Sequence, residues 1–217
     1  MIKKLMGVMA AIALTAVFFT NTAFADYYSS NIKLSKSMQS SEVTNLQKDL
    51  KRLGYFSSTP TGYFGDITKA SVIKFQKDNY LSPDGIVGHA TAREIKVEKV
   101  IQQAKWYMGV PYVWGGTSPS GFDCSGFTHY TLLKNDIIVQ RTAALQYNAG
   151  SWVSRNSLQP GDLVFFSTYS AGASHVGIYL GNNQFIHASS GAGKVTISDL
   201  TGSYYTQHYL GAKRVIW

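Results

Sequence analysis

The sequence has one cysteine, Cys124, so an intrachain disulfide is excluded. It has no HExxH motif and no second thiol, and therefore offers no pattern for a zinc amidase. It also lacks a Lys/Arg cluster of the kind that binds nucleic acid, and beyond the N-terminus it has no apolar run long enough to cross a membrane. We therefore predict no metal, no cofactor and no nucleic-acid partner.

The N-terminal segment is typical of an export signal. Two lysines precede an apolar run over residues 5–19, and Ala23 and Ala25 occupy the positions that a signal peptidase reads. We predict that residues 1–25 are a signal peptide and that the mature chain starts near Asp26. The apolar run is shorter than the roughly 20 residues of a membrane-spanning helix, so we expect no membrane anchor; a retained anchor helix is the alternative.

The rest of the chain is typical of exported globular domains. The 217 residues are 45% hydrophobic and 15% charged, which favours one or two folded domains over disorder. The formal net charge of +8 falls by two, to +6, when Lys3 and Lys4 leave with the signal. Such a basic protein is attracted to anionic surfaces, of which bacterial wall polymers are one. A lone thiol in an oxidising compartment makes Cys124 the first candidate for chemistry, with a buried inert cysteine as the alternative.

Residues 33–95 have the pattern of a small three-helix unit. The first helix is predicted from apolar residues at spacings of three and four: Val43, Leu46, Leu50 and Leu53. Ser41 is a candidate cap for this helix, and Gly54 ends it. A second apolar pattern lies at residues 70–75, and a turn at residues 84–88 precedes a short third helix.

Three segments of this unit resemble the peptidoglycan-binding domain that is attached to many wall hydrolases. They are Ser41 to Tyr55 (SEVTNLQKDLKRLGY), Gly62 to Gln76 (GYFGDITKASVIKFQ) and Asp84 to Gly88 (DGIVG). The resemblance implies a wall-anchoring module with peptidoglycan as its partner, and a spacer bundle without a ligand is the alternative. His89 stands where that family often has proline, and we expect it to be a surface residue.

The C-terminal part has the pattern of a helix followed by strands. The connector at residues 96–99 lacks Pro and Gly and continues into a helical pattern at residues 100–107, which predicts a stiff join. A helix is predicted to begin at Cys124, where its N-terminus would lower the pKa of the thiol. Four runs then indicate an antiparallel sheet: Asp162 to Phe166, Val176 to Leu180, Gln184 to Ala188 and Val195 to Ser198. This α+β arrangement, a cysteine helix packed on an antiparallel sheet, is the plan of papain-like peptidases.

A cysteine nucleophile needs a base, and one predicted hairpin carries two histidines. With a three-residue loop at residues 181–183, Leu180 pairs with Gln184. His187 then lies one diagonal step from His175 on the same face, about 7 to 8 Å away at the backbone. The opposite face carries the residues of a buried core: Val176, Ile178, Leu180 and Ile186. The other histidines have no such support: His89, His129 and His208. Taken alone, a histidine pair of this kind is more often structural than catalytic.

Five segments of the C-terminal part resemble, in order, those of the NlpC/P60 wall peptidases. They are residues 111–116 (PYVWGG), 123–127 (DCSGF), 160–166 (PGDLVFF), 175–179 (HVGIY) and 185–188 (FIHA). The likeness covers about Val100 to Trp217 and implies a catalytic domain over residues 98–217. It implies Cys124 as nucleophile, His175 as general base and acid, His187 as the residue that orients His175, and Tyr112 as an oxyanion donor beside backbone N–H groups.

The same resemblance implies the substrate-binding residues. Asp123 and Ser125 flank the nucleophile and in similar enzymes help to hold the amine of L-Ala, although Asp123 is also a candidate cap for the cysteine helix. Arg141 lies in a further matching segment, in which Gln140 replaces the usual proline. Trp114 is a candidate for substrate contact or, equally, a core aromatic residue. For Tyr112, too, a plain core aromatic residue is the alternative.

The resemblance implies a secreted or wall-associated cysteine endopeptidase that acts as a monomer on peptidoglycan stem peptides. In this family the cut commonly lies between D-glutamate, through its side-chain carboxyl, and the following diamino acid. Acyl transfer then proceeds through a thioester without a metal. The alternatives are an amidase or acyltransferase on the same framework, and a noncatalytic wall-binding protein.

Overall fold

The computed structural model describes residues 33–217, so the predicted signal peptide lies outside the described residues. The helices within this range are α1 (Ser41–Arg52), α2 (Asp66–Asp78), α3 (His89–Trp106), α4 (Cys124–Leu133), α5 (Ala143–Gln146) and α6 (Ser203–His208). The strands are β1 (Thr117–Ser118), β2 (Gly121–Phe122), β3 (Ser151–Val153), β4 (Leu163–Phe166), β5 (His175–Gly181), β6 (Gln184–Ser189), β7 (Lys194–Asp199) and β8 (Tyr209–Arg214). Between residues 33 and 217, no helix combines the length and apolarity that a membrane crossing requires.

Helices α1, α2 and the first half of α3 form the predicted three-helix unit around their own core. Leu46, Phe64 and Phe75 are fully buried in this core. The predicted cap at Ser41 is wrong by one residue, because the side chain of Ser40 accepts the backbone N–H of Val43 at 3.3 Å. Ser40 has extended backbone angles, as an N-cap requires, whereas Ser41 is already helical.

Helix α3 joins the two halves of the molecule. The sequence predicted a short third helix and a separate helix at residues 100–107, but the structure has one helix of 18 residues. Ile95 lies in the core of the three-helix unit, whereas Val97 and Val100 lie in the core of the C-terminal domain. Arg52 at the end of α1 strengthens the join by donating to the side chains of Gln102 and Gln103 at 3.1 and 2.9 Å.

The C-terminal domain is built on a six-stranded sheet with the order β3-β8-β4-β5-β6-β7, in which every neighbouring pair is antiparallel. Helix α4 packs against β5 and β6 on one face, around Phe127 and Val176. The other face buries Phe166 and Phe185, with Tyr205 of α6 packed against them. The predicted α+β fold, with its cysteine helix on an antiparallel sheet, is confirmed.

The hairpin between β5 and β6 has a shorter loop than the sequence predicted. Gly181 pairs with Gln184, so the loop is Asn182 and Asn183, both with positive φ, and the predicted pairing of Leu180 with Gln184 is wrong. Two residues with positive φ form the tight turn that matches the twist of a hairpin. A register shift at Leu180 absorbs the difference, so the pairing of Ile178 with Ile186 still follows the predicted register.

Candidate active site

Cys124 is the first residue of α4, and Asp123 is its N-cap. The Asp123 carboxylate accepts the backbone N–H of Gly126 at 2.6 Å, so the predicted capping role of Asp123 is present. The thiol is 5% exposed and donates to the carbonyl oxygen of Ser174 at 3.8 Å. The carbonyl belongs to the residue before His175, so the start of α4 and the start of β5 meet at the sulfur.

The pKa of Cys124 differs from the sequence prediction. Burial, and secondarily the charge of Asp123, raise it from 9.0 to about 11, although backbone N–H groups act in the opposite direction. The predicted lowering by the helix N-terminus is therefore outweighed by the loss of water around the sulfur. The resting cysteine is a neutral thiol, which must lose its proton as it reacts.

His175 and His187 lie side by side on one face of the hairpin, as the strand parity predicts. His175 Nε2 and His187 Nδ1 are 2.6 Å apart, and the ring planes are nearly perpendicular. Gly177 on β5 leaves the neighbouring β6 residues the space they occupy, because a Cβ there would come within 2.6 Å of the Phe185 ring and 3.1 Å of His187 Cβ. Burial lowers the pKa of His175 to about 4, so at neutral pH its ring is uncharged and able to accept a proton.

His187 is fully buried and has a second set of partners that sequence reasoning missed. Its Nε2 lies 3.0 Å from Ser198 Oγ and 3.4 Å from the Tyr205 hydroxyl. Ser198 is the last residue of the fourth strand predicted from the sequence, but only the register of β6 against β7 brings it to His187. Tyr205 lies on the unpredicted helix α6, and no pattern in the sequence points to it.

Asp123, Ser125 and Arg141 form one charged cluster beside the thiol. Arg141 Nη1 and Nη2 donate to the two carboxylate oxygens of Asp123 at 3.0 and 2.6 Å. Arg141 Nη1 also donates to Ser125 Oγ at 2.9 Å. A bidentate pair of this kind is a strong and directional interaction. These three predicted substrate-binding residues therefore lie together, with Arg141 fixing the orientation of the carboxylate.

Three aromatic residues form the rim of the site. Tyr112 is partly buried, and burial raises its pKa to about 12, so its hydroxyl remains a hydrogen-bond donor. Trp114 is 71% exposed and packs edge-on against Tyr169, with ring centroids 5.3 Å apart. The core alternative for Trp114 is therefore wrong. Tyr169 was missed from the sequence because it lies in a loop without a recognisable pattern.

Two cavities meet at this rim, and Tyr112 and Tyr169 line both. The charged cavity, of about 460 Å³, is lined by residues that include Trp114, Asp123, Cys124, Ser125 and Arg141. The tyrosine cavity, of about 640 Å³, is lined by residues that include His175, Ser189, Ser190, Tyr204 and Tyr205. The thiol thus belongs to one cavity and the imidazole of His175 to the other. Over residues 33–217, no group of three or more His, Cys, Asp or Glu side chains is arranged to hold a metal ion.

A cysteine at a helix start, packed against a sheet that carries an imidazole, is the arrangement of the papain-like class. Residues 109–214 match the model of the "NlpC/P60 family", and residues 39–95 match that of the "Putative peptidoglycan binding domain". The solved structure of the peptidoglycan hydrolase RipB from Mycobacterium tuberculosis is 31% identical, with a TM-score of 0.53, over 81% of this chain and 84% of that one. The chain belongs to the NlpC/P60 family.

Relatives that match this domain are named for different activities. "Probable peptidoglycan endopeptidase LytE" of Bacillus subtilis is 50% identical over 55% of this chain and 35% of its own length. "Gamma-DL-glutamyl hydrolase" of Bacillus subtilis is 40% identical over 66% of this chain and 36% of its own length. "Murein DD-endopeptidase MepH" of Escherichia coli is 36% identical over 78% of this chain and 59% of its own length. The matches therefore span roughly a third to three fifths of these relatives.

Proposed function

We propose that this protein is an exported cysteine endopeptidase that hydrolyses the stem peptides of bacterial peptidoglycan. The observation that carries the proposal is the order of groups along the cleft. Cys124 shares the charged cavity with the Asp123–Arg141 pair, and its sulfur contacts the carbonyl oxygen of Ser174, the residue before His175 of the histidine pair. This arrangement provides a nucleophile, a base and an ion-binding subsite without a metal.

In the proposed reaction, Cys124 attacks a stem-peptide carbonyl while its proton moves to His175. Because Nε2 of His175 is bonded to His187, the nitrogen that exchanges the proton with sulfur is Nδ1. His175 then gives this proton to the leaving amine, and a thioester remains on Cys124. Water activated by His175 hydrolyses the thioester and regenerates the thiol.

The two cavities take opposite parts of the substrate in this proposal. The acyl part joins Cys124 and therefore lies in the charged cavity, whereas the leaving amine receives its proton from His175 and lies towards the tyrosine cavity. The hydroxyl of Tyr112 lies on the border between them, where it donates to the developing oxyanion together with backbone N–H groups. The high pKa of Tyr112 supports this donor role.

We further propose that the bond cut is the one between D-glutamate, through its side-chain carboxyl, and the diamino acid. The charged cavity then holds the short L-Ala end, whose free ammonium meets the Asp123 carboxylate and Ser125. A relative named a gamma-DL-glutamyl hydrolase supports this bond, whereas the relative named a DD-endopeptidase has a different one. Asp123 caps α4 and pairs with Arg141 at the same time, so it is held ready for the ammonium.

The three-helix unit is proposed to hold the enzyme on the wall. Its match to a peptidoglycan-binding family and the basic charge of the chain support this role. The protein is then secreted or wall-associated and acts as a monomer.

The test uses L-Ala-D-γ-Glu-diaminopimelate and its N-acetylated form, with products identified by mass. We expect the wild type to release L-Ala-D-Glu from the free peptide faster than from the blocked one. Cys124→Ser, a nearly isosteric change, should abolish turnover while it retains binding to purified wall.

Three outcomes would contradict the proposal. Residual activity of Cys124→Ser above about a tenth of wild type would exclude the thiol as nucleophile, since loss of a covalent catalyst costs far more. Equal rates on the free and blocked peptides would remove Asp123 as the amine-binding residue. Turnover of simple esters or amides without turnover of stem peptides would favour an amidase or acyltransferase.

A further inference from the structure

We propose that Ser198 is a positioning residue that fixes which nitrogens of the histidine pair carry protons. The inference rests on the proposed function, because it concerns the proton that His175 takes from Cys124. Ser198 lines neither of the two cavities, and it reaches His175 only through His187. Its role follows from three contacts and from the number of protons that each group has.

His187 is held by hydrogen-bond partners on both sides of its ring. Both of its ring nitrogens have partners: Nδ1 lies 2.6 Å from His175 Nε2, and Nε2 lies 3.0 Å from Ser198 Oγ. The ring is fully buried, so water does not replace either partner. Ser198 reaches it because Phe185 pairs with Ser198 and His187 with Thr196, which places Ser198 one diagonal step from His187 on the same sheet face.

The proton taken from the thiol determines which nitrogens of the histidine pair carry hydrogen. Once His175 has accepted the proton of Cys124, both of its nitrogens carry hydrogen, so its Nε2 must donate to His187 Nδ1. Burial and the neighbouring His175 lower the pKa of His187, so His187 stays neutral and carries its one proton on Nε2. That N–H needs an acceptor within a buried site, and Ser198 Oγ is the nearest one.

The hydroxyl of Ser198 has one proton of its own, which also needs an acceptor. Burial raises the pKa of Tyr205, while hydrogen bonds from the side chains of Ser198 and Ser189 act in the opposite direction. A serine that gives its one proton to the tyrosine oxygen keeps its lone pairs for the N–H of His187. The hydrogen bonds then run in one direction, from His175 through His187 and Ser198 to Tyr205. The reverse direction would set N–H against N–H as soon as His175 became charged.

The choice of variants separates this role from packing. Ser198→Ala removes the acceptor, whereas Ser198→Thr keeps the hydroxyl in a residue that suits a strand. Thr196→Ala is the matched control. Thr196 is on the same strand and the same face as Ser198, and it lies directly opposite His187 on the neighbouring strand. All variants are made in the full chain, and their thermal unfolding is measured to confirm that they fold.

The readouts include two that need no wall substrate. The pH dependence of iodoacetamide alkylation reports how readily Cys124 passes its proton to His175. Nitrogen-15 NMR of histidine-labelled protein reports which nitrogens of His175 and His187 are protonated. The third readout is kcat and KM on the stem tripeptide. Failure of the proposed peptidase function would leave the first two measurements interpretable.

In Ser198→Ala we expect kcat to fall about 10- to 100-fold, while KM stays within about twofold of the wild-type value. This is the effect of losing one hydrogen bond that supports the charged form of His175 through His187. The alkylation midpoint should move to higher pH, because the imidazolium of His175 loses support. Ser198→Thr should retain most of the activity, and Thr196→Ala should match the wild type. In the wild type, His187 should carry its proton on Nε2.

A proton on Nδ1 of His187 in the wild type would overturn the proposal. So would a Ser198→Ala variant with the wild-type alkylation midpoint and kcat. Equal losses in Ser198→Ala and Ser198→Thr, with an unchanged midpoint in both, would assign Ser198 to packing alone. If Ser198→Ala does not fold, nitrogen-15 NMR of the wild type decides the matter, because a proton on Nε2 of His187 supports the proposal and a proton on Nδ1 overturns it.

Discussion

The two cavities that meet at Tyr112 and Tyr169 differ in how they can recognise a ligand. The charged cavity contains a bidentate ion pair whose carboxylate is held by Arg141 and by the N-terminus of α4. The tyrosine cavity is larger and is lined by hydroxyl groups, aromatic rings and a neutral imidazole. A cavity of the first kind selects charge at a fixed point, whereas the second selects shape and hydrogen-bonding capacity. Under the proposed function, the cleft would recognise one end of the stem peptide strictly and the other end loosely.

Acid should have the largest effect on this comparison, because the histidines of the uncharged side resist protonation in the folded protein. Burial lowers the pKa of His175 from 6.5 to about 4, and that of His187 moves in the same direction. Between these pH values the unfolded chain binds a proton that the folded chain does not, so stability falls as the pH falls. For His175 alone the loss is on the order of 3 kcal/mol across this window.

Urea unfolding from about pH 7.5 to about pH 4.5 measures this loss. Glu94 and Glu98 act with the opposite sign, because burial raises the pKa of both. The relevant quantity is therefore the difference between the wild type and His175→Gln, whose side chain does not titrate. Identical pH slopes for the two proteins would show that His175 titrates in the folded protein as it does in the unfolded chain.

Removing the charge from the charged cavity should have the next largest effect. Asn at position 123 still accepts the N–H of Gly126, so the cap of α4 remains. We expect Asp123→Asn to lower kcat/KM for a stem peptide with a free amine roughly 10- to 100-fold, the cost of one charge-assisted hydrogen bond. The N-acetylated peptide should be cut at nearly the wild-type rate, because it has no ammonium group for Asp123 to bind. An equal loss of kcat/KM on both peptides would show that Asp123 does not bind the free ammonium.

The smallest effect is expected in the tyrosine cavity, where no single contact dominates. Tyr204 is half exposed and packs on Tyr205 with ring centroids 5.2 Å apart. Tyr204→Ala should raise KM about two- to tenfold for stems whose leaving part extends beyond the diamino acid, with kcat unchanged. Tyr204→Phe should behave like the wild type. Tyr80→Ala, at a fully exposed tyrosine of the helical unit, is the surface control.

Local patterns in the sequence predicted the elements that position the site. The start of α4 at Cys124 and the pairing of the two histidines both follow from spacing, because helix and strand periodicities act over a few residues. Strand β8 was not predicted, although it lies between β3 and β4 in the sheet. Its register against β4 shifts between Phe165 and Phe166, and its pairing partners are some 50 residues away in the chain, so only tertiary contacts define it.

The protonation states of Cys124 and of the histidine pair could not be predicted from local sequence, for a similar reason. A helix N-terminus is visible in the sequence and predicts a lowered pKa for Cys124. The burial that raises it instead comes from β5 and from the rest of the core, which are distant in sequence. Ser198 shows the same limit, because its strand was predicted but its register was not. Spacing therefore identifies which groups meet, while the packed core determines which of them hold protons.

The depth and high pKa of the Cys124 thiol also bear on its durability. Peroxides and disulfides react with thiolates, and they attack exposed ones fastest. At 5% exposure and with a pKa of about 11, the resting sulfur presents almost no anion to such oxidants. In the proposed reaction the sulfur becomes reactive only when His175 takes its proton. We therefore expect oxidants to consume the resting thiol slowly.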